Sequence, residues 1–164
     1  MKIILGIAIV CFTSYCGCFM AKKYRIRKRF FLQFYEFNER FINEITYYRR
    51  PIGEFIKNTT YKGEFKSLIE VFFARLSVDS TKNVGVAPFL KEYDFLKADE
   101  RSFSEDYFSM LGKGDSFSQK EYFSGARKTL SEWKAQSEKD CASRENLYLK
   151  LGFLLGLAIL ILIV

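Results

Sequence analysis

The chain has 164 residues, carries 26 Lys and Arg against 19 Asp and Glu for a formal charge of +7, and is 49% hydrophobic with 18 Phe and 10 Tyr. It has no histidine, which removes the commonest general base and the commonest metal ligand. Of its four cysteines, Cys11, Cys16 and Cys18 fall in one apolar run and Cys141 stands alone, so neither a disulfide framework nor a zinc spacing is present; the composition argues against an enzyme, and no catalytic, cofactor or metal residue is expected.

In chain order, Ile3 to Ala21 contains no charged side chain, and Lys22, Lys23, Arg25, Arg27, Lys28 and Arg29 follow at once. A helix needs roughly 20 apolar residues to cross a bilayer, and basic residues beside a span stay on the cytoplasmic side. Leu151 to Val164 is again uncharged; counted from Leu147 it offers 18 residues, about 27 Å of helix. The expected organisation is a transmembrane helix over residues 1–21, a cytoplasmic helical domain over 22–150 and a second transmembrane helix over 151–164. An exported lipoprotein or binding module, cleaved ahead of Cys18, is the alternative. Charge lying behind the apolar core, and Tyr15 and Cys16 ahead of the cut, speak against cleavage.

Within the domain the period is helical. Phe30, Phe34, Phe37, Phe41 and Ile45 form one aromatic stripe, and the helix is expected to end at Pro51, which opens a short one with Ile52, Phe55 and Ile56. Asn58 to Gly63 reads as a turn. Phe65, Leu68, Ile69, Phe72, Phe73 and Leu76 mark a third helix, Asp79 to Pro88 a loop, and Phe89, Leu90, Tyr93 and Leu96 a fourth helix. Ser104, Glu105 and Asp106 sit where a cap and an acidic first turn belong, predicting a fifth. Gly112 to Gly114 breaks the chain and Asp115 is placed to cap a last helix from Ser116, with Phe123, Ala126, Leu130, Trp133 and Ser137 on its packed face. Continued into the span, that helix reaches about 49 residues, or roughly 70 Å. The predicted fold class is all-α: an antiparallel bundle of about six helices between N- and C-terminal transmembrane helices.

Candidate sites are few. Leu111-Gly112-Lys113-Gly114-Asp115 lacks the spacing of a phosphate loop and reads as a turn between helices. Glu44, beside Tyr47 and Tyr48, is expected on a solvated helix flank rather than as a buried acid. The basic block suits anionic lipids better than nucleic acid. Gly152 and Gly156 have the spacing that permits close helix contact in a membrane, and neither span carries a polar stripe for a pore of its own.

Four motifs in order resemble the stage III sporulation protein AB family: Met20-Ala21-Lys22-Lys23-Tyr24 leaving the first span; Glu44-Ile45-Thr46-Tyr47 followed by Pro51-Ile52; Leu111-Gly112, then Asp115, then Gln119; and Leu151-Gly152-Phe153-Leu154-Leu155-Gly156-Leu157. Gly114 and Ser116 depart from the family pattern at the turn. The resemblance implies a subunit of the channel between mother cell and forespore, in the mother-cell membrane around the forespore. It implies a domain similar to type II secretion F platform proteins and a partnership with the stage III sporulation AA ATPase and further membrane subunits. Glu44, Tyr47, Pro51, Leu111, Gly112, Asp115 and Gln119 become candidate docking residues. Each has a structural rival, since Gly112 can end a helix, Asp115 cap one and Pro51 start one.

Overall fold

Long runs free of Pro, with apolar residues three and four apart, leave the chain little choice but helix. The structure, a computed structural model, describes residues 2–48, 54–55, 60–78, 86–111 and 116–163. Its helices are α1 (Lys2–Asn43), α2 (Gly63–Val78), α3 (Ala87–Leu90), α4 (Ala98–Met110) and α5 (Ser116–Ile163), and no strand occurs among the described residues. The chain divides into two compact units, residues 29–134 and residues 1–28 with 135–164, and α1 and α5 contribute to both.

The unit of residues 29–134 is built around phenylalanine. Phe30, Phe34, Phe37 and Phe41 are buried along one face of α1, meeting Phe65 and Phe72 of α2, Tyr107 and Phe108 of α4, and Phe123 and Leu130 of α5 in one core. Phe34 stands edge-on to Tyr107 at 4.8 Å and Phe41 edge-on to Phe123 at 4.9 Å, the geometry that ring quadrupoles favour. Phe31 meets Trp133 while Phe41 meets Phe123; numbers rise along α1 as they fall along α5, so the two run antiparallel.

Two polar devices fix the register of this apolar core. Asn38, fully buried, donates from Nδ2 to the Phe123 carbonyl at 3.1 Å and accepts the Tyr107 hydroxyl at 2.9 Å. One side chain thus ties α1 to α4 and α5, and a buried polar group so satisfied tolerates little sliding. Burial pushes the Tyr107 hydroxyl well above its ordinary pKa, so it remains a donor. Gln33 treats the segment before α2 as a strand would: Nε2 donates to the Lys62 carbonyl at 2.8 Å and Oε1 accepts the Lys62 N–H at 2.6 Å. The next residue, Gly63, has φ +61° and lies under the Arg29 guanidinium, which would stand 2.6 Å from any added Cβ. Arg29 reaches past it to Glu64 at 2.8 Å. The left-handed dihedral favours glycine there.

The described elements depart from the sequence expectation at three places. The expected fourth helix is a single turn, α3, followed by turns in which Tyr93 N–H bonds Leu90 at 3.2 Å and Leu96 N–H bonds Tyr93 at 3.0 Å. Tyr93 is held instead from outside, its hydroxyl donating to the Glu64 carbonyl at 2.7 Å. The next helix begins at Ala98, ahead of the expected cap at Ser104. Asp99 and Glu100 form its acidic first turn, and the Glu100 carboxylate accepts the Lys97 N–H at 2.9 Å. Ser104 is buried mid-helix, its hydroxyl satisfied by the Glu100 carbonyl at 2.7 Å. Finally, α1 gives way at Asn43 to a wider π turn, Glu44–Tyr48, where the sequence predicts helix up to Pro51. Residues 51–53 lie outside the described ones, as do 79–85 of the expected loop.

In the unit of residues 1–28 and 135–164, α1 and α5 also run antiparallel. Gly17 faces Gly152, Tyr24 stacks on Tyr148 with ring centroids 5.7 Å apart, and Arg27 faces Asp140. Among the described residues one helix, within α5, is long and apolar enough to cross a membrane by length and composition. Exposed Phe153, Leu154, Leu155, Ile161 and Leu162 lie along it.

Candidate interaction surfaces

The candidate docking residues separate by depth. Tyr47 is 75% exposed on the π turn, whereas Glu44 is only 5% exposed, which corrects the expectation of a solvated flank: Glu44 follows Phe37 by seven residues and Phe41 by three, and so falls on their buried face. Leu111 is buried after α4 and belongs to the core, and Gln119 is half-buried in the first turns of α5. Pro51, Gly112 and Asp115 lie outside the described residues. Of those described, Tyr47 is therefore the side chain able to touch a partner outright, with Glu44 and Leu111 shaping the surface from beneath. Phe117, 76% exposed at the start of α5, was not singled out by its sequence context, because a lone exposed Phe has no periodic signature.

A second surface lies between α4 and α5, where Phe103, Glu121, Tyr122, Gly125, Ala126 and Thr129 line an open groove of about 380 Å³. Burial first, and the negative charge of Asp106 second, push the Tyr122 hydroxyl above its ordinary pKa. No group of three or more His, Cys, Asp or Glu able to hold a metal occurs among the described residues.

The basic block is not one surface. Arg25 pairs with Glu145 at 3.3 Å and Arg27, 8% exposed, with Asp140 at 3.3 Å, an acid that also accepts a bond from Gln136 at 2.9 Å. Arg29 pairs with Glu64 in the other unit. Lys22, Lys23 and Lys28 are exposed, with no ion pair among the described residues. The planar guanidinium suits fixed pairing and the strongly hydrated ammonium suits a headgroup layer, so arginines hold helices together while lysines face outward. On the topology that the sequence predicts, reversing Lys22, Lys23 and Lys28 to Glu should turn the N-terminus to the other side of the membrane, read by accessibility of a terminal tag, with the melting temperature little changed. Arg27→Glu should do the opposite: it sets a carboxylate against Asp140, costs about 3–5 kcal/mol and lowers the melting temperature.

Beside these pairs Arg144 lies over the Tyr24 ring, 5.7 Å from its centroid. Cys141 is buried, its thiol pushed up in pKa by desolvation and then by Glu145, to which Sγ donates at 3.2 Å. A thiol so held is unreactive.

The glycines complete the picture. A Cβ on Gly17 would stand 2.7 Å from the Tyr148 carbonyl oxygen. One on Gly152 would stand 2.8 Å from the Thr13 carbonyl oxygen, and one on Gly156 would stand 2.9 Å from the Val10 Cα. Each has another helix's backbone against it. Asn38 and Gln33 carry much of this architecture and escaped the sequence reading. For Asn38 a signal existed: a lone amide between Phe34 and Phe41 on an otherwise apolar face.

The family model for stage III sporulation protein AB matches residues 2–164, nearly the whole chain. No curated protein and no solved structure gives a significant match.

Proposed function

The chain belongs to the stage III sporulation protein AB family, and we propose that it serves as a non-enzymatic membrane subunit of the channel complex between mother cell and forespore, coupling a cytoplasmic ATPase to membrane components. The observation that carries this reading is that the family match runs through both apolar ends and the helical domain between them, so the whole layout is what the family shares. In this reading residues 22–150 face the mother-cell cytoplasm in the manner of a type II secretion F domain. The stage III sporulation AA ATPase docks there, at the surface that presents Tyr47 and the start of α5. The spans at residues 1–21 and 151–164 meet further membrane subunits. Displacement of the domain would reach the membrane through α1 and α5, whose helical backbone is unbroken from Lys2 to Asn43 and from Ser116 to Ile163.

Deletion of the gene in its own host tests the reading. The expected result is arrest after engulfment, with a small, collapsing forespore and a silent late forespore reporter; normal spores would overturn it.

A further inference from the structure

Helical glycine costs about 1 kcal/mol relative to alanine, and three of the helical glycines whose surroundings are described lie where a second helix presses close. Gly17, Gly152 and Gly156 all have backbone of the opposing helix within 3.4 Å of a would-be Cβ. Gly125 is the exception. It lies mid-helix in α5, is exposed, and a Cβ added to it would meet nothing within 4 Å. Nothing among the described residues calls for glycine there, yet it lines the open groove between α4 and α5.

The charge around that groove is opposite to that of the chain. Glu121 lines it, and exposed Glu132, seven residues on from Gly125, returns to the same helical face. On α4, exposed Asp99 and Asp106 lie one turn either side of Phe103, which forms the groove's other wall. Exposed Lys128 is the one cation on this face of α5 between Glu121 and Glu132 among the described residues. The protein as a whole carries +7, so this local excess of carboxylates is a distinct acidic surface with an apolar floor of Phe103, Tyr122 and Ala126.

From this geometry we infer that a helix of another protein, bearing Lys or Arg on either side of an apolar or small-residue stripe, crosses α5 at Gly125. The absent side chain lets the two backbones approach, as at Gly17 and Gly152. The apolar floor takes the stripe, and Asp99, Asp106, Glu121 and Glu132 meet the flanking cations. The inference rests on the proposed role in an assembly, and names one contact surface of that assembly.

The test is made on the full chain. Because the site is open, Gly125→Leu should fold, and in detergent its melting temperature should be unchanged or raised by a few degrees, about 2–4 °C per kcal/mol of helix propensity gained. In sporulating cells the same substitution should reduce spore yield to the level of the deletion strain. Glu121→Lys combined with Glu132→Lys should do likewise, while Gly125→Ala should fall between. A photocrosslinker at Thr129 should join, in wild-type background only, a peptide of another protein that bears Lys or Arg along a helix. Normal spores from Gly125→Leu in a host where the deletion arrests would overturn this surface and leave the channel role standing. A crosslink to a second copy of this chain or to lipid would overturn the stated partner. A deletion strain that sporulates normally would remove the wider reading instead.

Discussion

Phe34→Ala should remove most of the stability of the helical domain. Phe34 is fully buried and its ring meets Phe30, Phe65, Phe103, Tyr107 and Phe108, so its loss opens a cavity bounded by α2, α4 and the rest of α1. Neighbours that are themselves rigid rings cannot collapse into such a space. Phe→Ala changes in cores cost about 3–5 kcal/mol, and the absence of flexible filler places this one near the upper part of that range. Domains are stable by about 5–15 kcal/mol. The expected readout is a fall in melting temperature of roughly 10 °C by circular dichroism of the full chain in detergent. Phe34→Leu, which keeps most of the volume, should recover more than half of that loss. A shift of about 2 °C or less for the alanine variant would show that Phe34 does not occupy the centre of the core.

The helical class and the buried faces were legible because they rest on a simple period. Phe30, Phe34, Phe37 and Phe41 had to share one side of any helix, and Phe123, Ala126 and Leu130 one side of another; all seven are buried. The last helix, expected to run about 49 residues, spans 48, because nothing between Ser116 and Ile163 interrupts it. What failed were element boundaries decided by partners distant in sequence. Tyr93 suits a helix by its spacing, but its hydroxyl is claimed by the Glu64 carbonyl. Ser104 resembles a cap, but Ala98-Asp99-Glu100 starts the helix earlier and Ser104 then finds its acceptor within the turn.

The interaction surfaces were less legible, for a physical reason. A charge run in sequence does not say which of its members will find an acid. Arg25, Arg27 and Arg29 do so only because α5 and α2 deliver Glu145, Asp140 and Glu64 to them. Likewise Glu44 lies close to exposed Tyr47 in the motif, yet is buried, since it shares a helical face with Phe37 and Phe41 that its charge alone does not announce. Gly125 reads in sequence as nothing more than a weak helix former, and acquires meaning only beside glycines whose neighbours are visible.

Gly152→Leu should separate the two halves of the unit formed by residues 1–28 and 135–164. The atoms that a Cβ would strike are the Thr13 carbonyl oxygen at 2.8 Å and the Gly17 Cα at 3.2 Å, and backbone cannot rotate out of the way as a side chain can. On the proposed membrane placement of this pair no hydrophobic force would restore the contact, since an apolar tail is as good a neighbour as an apolar helix; close packing is what holds such a pair. Overpacking of about 1–3 kcal/mol therefore corresponds to roughly a five- to hundredfold loss of the paired state, at 1.4 kcal/mol per factor of ten. The reporter is the stacked pair Tyr24 and Tyr148. With native cysteines replaced, Tyr24→Cys and Tyr148→Cys should form a disulfide in high yield under mild oxidation. Adding Gly152→Leu should lower the initial rate about fivefold or more, with Gly152→Ala intermediate. An unchanged rate in the leucine variant would mean that the helices meet without the glycine contact, and that Gly17, Gly152 and Gly156 are small for the sake of a helix from another subunit.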